Sequence, residues 1–245
     1  MAETAAEYTV EVCLTPRLFD GILTEGECVI VLADILRATT SICYAFSNGV
    51  ASVIPVASLD EARALKEQGY LVASEQDGKK LDFADFGNSA FSFTRGRIEG
   101  KTLVYCTTNG TRALDVARNR APVAIGAFIN ISALKTWITG QHRNVVILCS
   151  GWKNHFCLED TLFAGALAEM LVRENGFSPL CDAAHASMDL FGIAKDDLAG
   201  YIEKAMHRQR LRTLGLDDVI PFSLRMDQTD VVPVFNGTEI INMNQ

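Results

Sequence analysis

At 245 residues, 49% of them hydrophobic, the chain can bury a sizeable core, and a single domain over 1–245 is the expectation. A formal charge of −8 with a pI near 5.0 argues against nucleic-acid binding, which needs a basic face. A small anionic ligand then requires local cations or a metal that overrule the global field.

The N-terminus "MAETAAEYTVEVCLTP" has no basic segment followed by an apolar one, and no run is long enough to span a membrane. The seven cysteines are widely spaced and form no C-x-x-C pair, as expected of a reduced, cytoplasmic protein.

In chain order, short β-branched runs alternate with helical patterns. "CVIVLAD" precedes a helix over Ala38 to Phe46, and "SLDEARALKEQG" reads as a helix with Ser58 as N-cap, Glu61 in capping-box position and Gly69 beyond its end. "TLVYC" precedes Thr111 to Arg118, "PVAIG" precedes Ile131 to Ile138, and "NVVILCS" precedes Leu158 to Val172, with Gly176 as the stop. A basic helical pattern follows from Ala194 to Leu214, and "DVVPVF" with "TEIIN" reads as a closing pair of strands, the proline marking an edge. Strands apolar on both faces and alternating with helices give an α/β class, a three-layer α/β/α sandwich around a largely parallel or mixed sheet. The stretch "ENGFSP", near 175–180, is the one candidate sub-domain boundary.

Polar clusters recur at the carboxyl ends of these strands: Asp34 with Arg37 and Thr39, Thr107 to Arg112, Asn130, and Ser150-Gly151 leading to Glu159-Asp160. In open α/β sheets that edge gathers helix N-termini and binds ligands, so one rim is expected to collect all four. Within "TTNGTR", Gly110 allows close backbone approach and Thr108, Asn109 and Thr111 offer polar groups, although a tight turn with Thr111 as N-cap accounts for them equally. Arg112 is different. A cation in the first turn of a helix is opposed by the macrodipole by roughly 0.3–1 kcal/mol, and Arg37 stands in the same relation to its own helix. Two such arginines at one rim point to a phosphate, sulfonate or carboxylate ligand.

Asp34 ends an apolar strand, where a carboxylate either caps the next helix or holds a cation. Glu159 and Asp160 fall in a first helical turn, where the dipole stabilises acids without any function. Glu75, Asp77, Asp82 and Asp85 do not fit an EF-hand, and Gly87-Asn88-Ser89 is a turn or a wall of the anion pocket. His142 reads as a loop residue and His155, near "GWKNHF", as a candidate for the rim, while His185 and His207 read as structural residues on helical patterns. No G-x-S-x-G, Walker A or tyrosine-phosphatase loop occurs.

The strings "DILRATTSI", "FGNSA", "TTNGTRAL", "GAFIN" and "LEDTLFAG", with a fainter echo in "HRQRLRTLGLDDV" and "VVPVF", resemble the 2-phosphosulfolactate phosphatases. The resemblance implies a magnesium-dependent phosphatase acting on a small phosphorylated 2-hydroxy acid, a step that in archaea leads toward coenzyme M. It places Asp34, Arg37, Arg112, Glu159 and Asp160 at the active centre. Asp34, Glu75 and Asp160 are then the expected Mg²⁺ ligands, and Thr39, Asn88, Ser89, Thr108, Asn109, Gly110, Thr111, Asn130 and Gly151 the expected substrate contacts. Gln76 and Ala90 depart from the family pattern, which bears on the choice of ester more than on the reaction class. A phosphotransferase or mutase on a small phosphorylated acid, or a non-catalytic sensor of anionic metabolites, would use the same groups. A homo-oligomer is compatible with all of these readings.

Overall fold

The computed structural model describes residues 7–76, 78–107 and 110–244. In chain order its strands and helices are β1 (Tyr8–Cys13), β2 (Cys28–Ala33), α1 (Ala38–Ser47), β3 (Ser52–Pro55), α2 (Leu59–Glu67), β4 (Leu71–Gln76), β5 (Lys79–Lys80), α3 (Arg95–Ile98), β6 (Thr102–Cys106), α4 (Gly110–Ala117), β7 (Val123–Gly126), α5 (Ile131–Thr139), β8 (Asn144–Cys149), α6 (Leu158–Asn175), β9 (Phe177–Pro179), α7 (Asp182–Ala194), α8 (Leu198–Tyr201), α9 (Met206–Thr213), α10 (Ile220–Ser223), β10 (Pro233–Phe235) and β11 (Ile240–Asn242). No described helix is long and apolar enough to cross a membrane, and all seven cysteines are free thiols.

The strands form one mixed sheet in the order β5-β4-β6-β3-β11-β10-β7-β2-β8-β1-β9. Two parallel blocks, β4-β6-β3 and β7-β2-β8-β1-β9, are joined by the antiparallel hairpin β10-β11. Because each of the three junctions around that hairpin is antiparallel, the blocks point in opposite nominal directions, and a flat sheet would send their carboxyl ends to opposite edges. Strand twist of roughly 20–25° per step, accumulated over the five steps from β6 to β2, turns one block back toward the other. The residues following β2, β6 and β8 consequently meet the end of β4 at one cleft.

Alternation along the strands makes the layers. Leu32 and Ile125 face α1 and α4, sharing a cavity wall with Ala38, Ile42 and Leu114. Their chain neighbours Val31 and Gly126 face the ring of Phe163 on α6. A main core joins both parallel blocks, and a smaller cluster of Val56, Ala62, Val72, Ala84, Val104 and Cys106 lies under α2.

The expected helix signals recur. Ser58 Oγ accepts from the Glu61 amide at 3.2 Å, and Gly176 ends α6 in the left-handed conformation with φ 71°. Two expectations change. The basic pattern 194–214 is not one helix: α7 ends at Ala194, Asp197 caps the short α8 by accepting from the Gly200 amide at 2.9 Å, and extended backbone at Ala205 starts α9 afresh. The closing strands pair as expected, but Pro233 does not mark an edge, since β10 lies mid-sheet between β11 and β7. The proline is tolerated there because it is the first residue of its strand, and pairing with β7 begins only at Val234, which leaves the missing N–H outside that ladder.

Candidate active site

Three carboxylates converge from the ends of β2 and β8. The Asp34 amide donates to Thr39 Oγ1 at 3.0 Å, the Thr39 amide returns a bond to the Asp34 carbonyl, and the Asp34 carboxylate faces the Ala38 amide at 3.4 Å. Asp34 therefore caps α1 while its carboxylate lines the cleft. Asp160, in the first turn of α6, accepts from the Ile35 amide at 2.9 Å and from the Gly151 amide at 3.0 Å, tying the ends of β2 and β8 together. Gly151 makes this possible: at φ 61° any Cβ would run into the His155 carbonyl. Its neighbour Glu159 shares a hydrogen bond of 2.8 Å with His207 Nδ1 from α9, and its other oxygen is buried without a partner.

This clustering changes the acids. Burial, aided by Glu75 and Glu159 and opposed by His207 and the Ala38 amide, pushes Asp34 up to about 6. Burial, with Glu159 and Asp34 adding repulsion, pushes Asp160 well above the carboxylate range despite its two amide bonds. Charges so crowded and desolvated call for a cation. The donor set is carboxylate oxygen, and Thr107 Oγ1 is buried without a partner among the described residues. Oxygen donors of this kind suit a hard divalent ion such as Mg²⁺, but among the described residues Asp34, Glu75 and Asp160 do not bring three ligand atoms within 4.8 Å of one another.

The same cleft is also lined by cationic and aromatic groups, Arg37, Lys153, Arg210, His207 and Trp152, beside Asp34, Glu75, Asn88 and Thr107. Arg37, at the N-cap of α1, is buried and donates to the Gly78 carbonyl at 3.2 Å, while burial lowers the pKa of its guanidinium against the pull of Tyr105, Glu75 and Asp34. Trp152 and His155 exchange backbone bonds around Lys153 and Asn154, both at positive φ, a turn that holds Lys153 at its tip. The Trp152 ring stacks on His207, with centroids 5.9 Å apart and planes 7° apart, and the Lys153 ammonium and Arg210 guanidinium lie 5.2 and 5.3 Å from the indole. Local cations thus oppose the net charge of −8 at this one place.

The remaining candidates sort by position. Asn88 lines the cleft, its side-chain oxygen accepting from the Tyr105 hydroxyl and its carbonyl from Ser41. Gly110 opens α4 where a Cβ would sit 3.0 Å from that of Ala38 and 3.4 Å from Asp34 Oδ2, so its bareness lets α4 and α1 start side by side. The Thr111 hydroxyl donates to the Thr107 carbonyl instead of capping α4. Arg112 is exposed in an adjoining cleft that shares Glu75 and Thr107 with the first. Ser89 precedes a short 3-10 turn over Ala90–Ser92 and is not among the residues lining the cleft. Asn130 is fully buried away from the cleft, donating to the carbonyls of Ile125 and Val231 and accepting from the Ala127 amide. Thr108, Asn109 and Asp77 lie outside the described residues.

Sequence reasoning missed Trp152, Lys153, His207 and Arg210. His207 and Arg210 lie one turn apart on α9 beside the buried Leu211, and nothing in the string signals that this turn reaches the site.

The family model described as 2-phosphosulpholactate phosphatase matches residues 13–238. A relative from Caldanaerobacter subterraneus is 34% identical over 208 residues, covering 83% of this chain and 86% of its own. One from Prochlorococcus marinus is 38% identical over 214 residues, with 83% and 87% covered. Another, from Gloeobacter violaceus, is 37% identical over 232 residues, with 91% and 94% covered. Each of the three bears the name "Probable 2-phosphosulfolactate phosphatase".

Proposed function

This chain belongs to the 2-phosphosulfolactate phosphatase family, and from that premise we propose that it hydrolyses the phosphate ester of 2-phosphosulfolactate, or of a closely related 2-hydroxy acid, with Mg²⁺ as cofactor. The observation that carries the proposal is the composition of one cleft: the buried carboxylates Asp34 and Glu75 share its lining with Arg37, Lys153, Arg210 and His207, and Glu159 and Asp160 lie near Asp34.

A bound Mg²⁺ would neutralise and polarise the phosphoryl group, and Asp34, Glu75 and Asp160, with Glu159 beside them, are the residues that would hold it. Arg37, buried and fixed against the Gly78 carbonyl, orients the phosphoryl oxygens and stabilises the charge that builds on them. Lys153 and Arg210 neutralise the other acid groups of the substrate, and Arg112 offers a further cationic contact from the adjoining cleft. Thr107 Oγ1 supplies a hydroxyl without a hydrogen-bond partner among the described residues.

Ester hydrolysis also needs a proton taken from water and one given to the leaving alkoxide. The hydrogen-bonded pair Glu159–His207 can hold a proton between Oε1 and Nδ1 and deliver it at the cleft, with Trp152 fixing the plane of the imidazole. Water is the attacking group, and Asp34 forms no covalent intermediate. A single turnover in ¹⁸O-water that leaves label in Asp34 would instead show an aspartyl-phosphate route.

The test is release of phosphate from 2-phosphosulfolactate, phospholactate, phosphoglycolate and the phosphoglycerates, with and without Mg²⁺. Metal-dependent turnover, fastest on a substrate with a second acid group, is expected. Saturable binding without release, or transfer only to an acceptor other than water, would replace hydrolysis by the sensor or transferase alternative.

A further inference from the structure

We propose that Cys157, Glu159 and His207 form a second metal site, selective for a borderline-soft divalent ion of the zinc class, and that its occupation switches hydrolysis off. The inhibitory half of this proposal rests on the hydrolytic function proposed above; the site itself does not.

The three side chains come from two separate segments, the start of α6 and the start of α9. One ligand atom from each, a thiol sulfur, a carboxylate oxygen and a ring nitrogen, lies within 4.8 Å of the other two. Independently, Glu159 keeps a buried oxygen with no partner beside this trio. A hydrogen bond from His207 satisfies only one oxygen of that carboxylate, so a structural His–Glu pair leaves the second unexplained.

The donor set selects the ion. Mg²⁺ takes oxygen ligands and has no use for sulfur or imidazole, whereas zinc-class ions bind thiolate, imidazole and carboxylate together. Three protein ligands leave a position open, and the trio forms the inner wall of a cleft that continues past His155, Phe156 and Met206 to solvent. His207 is already held in plane by its stacking on Trp152, which limits the reorganisation that coordination needs.

The sulfur is buried beside Glu159 and His207, and an ion that binds thiolate displaces its proton. Binding forms the metal–sulfur bond, breaks the S–H bond, and releases that proton to solvent together with any proton held between His207 and Glu159. Both residues then serve as ligands and no longer carry protons for hydrolysis.

Titration of the whole protein with Co²⁺ tests the site without reference to activity. A thiolate-to-cobalt charge-transfer band in the near ultraviolet is expected, displaced by Zn²⁺ but not by Mg²⁺. Cys157→Ser should lose the band and bind Co²⁺ more weakly by roughly 100-fold, with His207→Ala similarly affected. Cys28→Ser, at the far end of β2, should keep it and so controls for a general response to thiol loss. No band, or the same band in Cys157→Ser, overturns the site. In the phosphate-release assay, Zn²⁺ should inhibit the wild type and spare Cys157→Ser; equal inhibition of both overturns the switch. If no variant releases phosphate from any ester, the functional proposal fails while the cobalt band still decides the site.

Discussion

The two sides of the cleft are built from different material. The acidic side, Asp34, Glu159 and Asp160, sits at strand ends and helix starts, buried and tied to backbone amides of neighbouring strands. The basic side comes from a two-residue turn, Lys153 with Asn154, and from α9, whose hold on the body includes Leu211 and the ion pairs of Arg208 with Glu203 at 2.8 Å and Asp217 at 3.3 Å. Groups that need fixed, desolvated geometry were placed on the sheet, and groups that meet a variable anionic substrate were placed on shorter, more exposed elements. The acidic side should therefore govern kcat and the basic side KM, with His207 as the one residue of α9 that belongs with the acids.

Asp34→Asn gives the sharpest contrast and the largest expected effect. It should lower kcat/KM by roughly 10³-fold or more, because it removes the charge that holds the cation while preserving the helix cap. The same change should stabilise the metal-free protein. The folded-state pKa of Asp34, about 6, lies above the unfolded value of 3.8, so its contribution to stability is present below about pH 4 and is lost as pH rises through 6. The loss is on the order of 3 kcal/mol at pH 8. Thermal unfolding of the apo-protein should show a higher Tm for Asp34→Asn at pH 8 and no gain near pH 4. Mg²⁺ should correspondingly stabilise the wild type more at pH 8 than at pH 5 and leave the variant unmoved. An active variant, or a variant less stable at pH 8, would separate Asp34 from the metal.

His207→Ala tests whether one residue of α9 acts with the acidic side. Removing the proton carrier should lower kcat by roughly 10²–10³-fold and erase one limb of the pH–rate profile, with little change in KM. A loss that appears in KM alone, with both limbs intact, would return His207 to the positioning role of its neighbours.

Much of the acidic side was legible in the sequence, because a carboxylate at the end of an apolar strand, or in the first turn of an apolar helix, stands out against its own element. Asp34, Glu159 and Asp160 could be numbered from pattern alone. The basic side could not. "HRQRLR" on α9 has the composition of a solvated helix, and only the return of that helix over the carboxyl end of β8 puts His207 against Glu159. Strands β1, β3 and β4 were equally obscure, since β3 is four residues long and β1 and β4 alternate with polar residues such as Glu11 and Ser74. The inversion between the two parallel blocks was invisible too, being set by where a C-terminal hairpin inserts. Asn130 shows the converse error of emphasis. An amide at a strand end looks like a ligand contact, yet all three of its hydrogen bonds go to backbone, so Asn130→Ala should cost about 2–3 kcal/mol in denaturant unfolding and leave the kcat of the folded fraction unchanged.

The smallest effect is the most discriminating for the basic side. Arg210 reaches the cleft from one turn beyond His207 and lies over the Trp152 ring, so truncation to alanine removes one cation of the cleft lining. If its task is to neutralise the second acid group of the substrate, Arg210→Ala should raise KM by about tenfold, equivalent to about 1.4 kcal/mol, at constant kcat. The increase should shrink at high ionic strength, because the lost attraction is partly screened there already. It should also shrink for a phosphate monoester that has no second acid group, which the missing cation never touched. A uniform loss across substrates would mean that Arg210 serves Trp152 and the packing of α9, and that the division of labour between the two sides ends at His207.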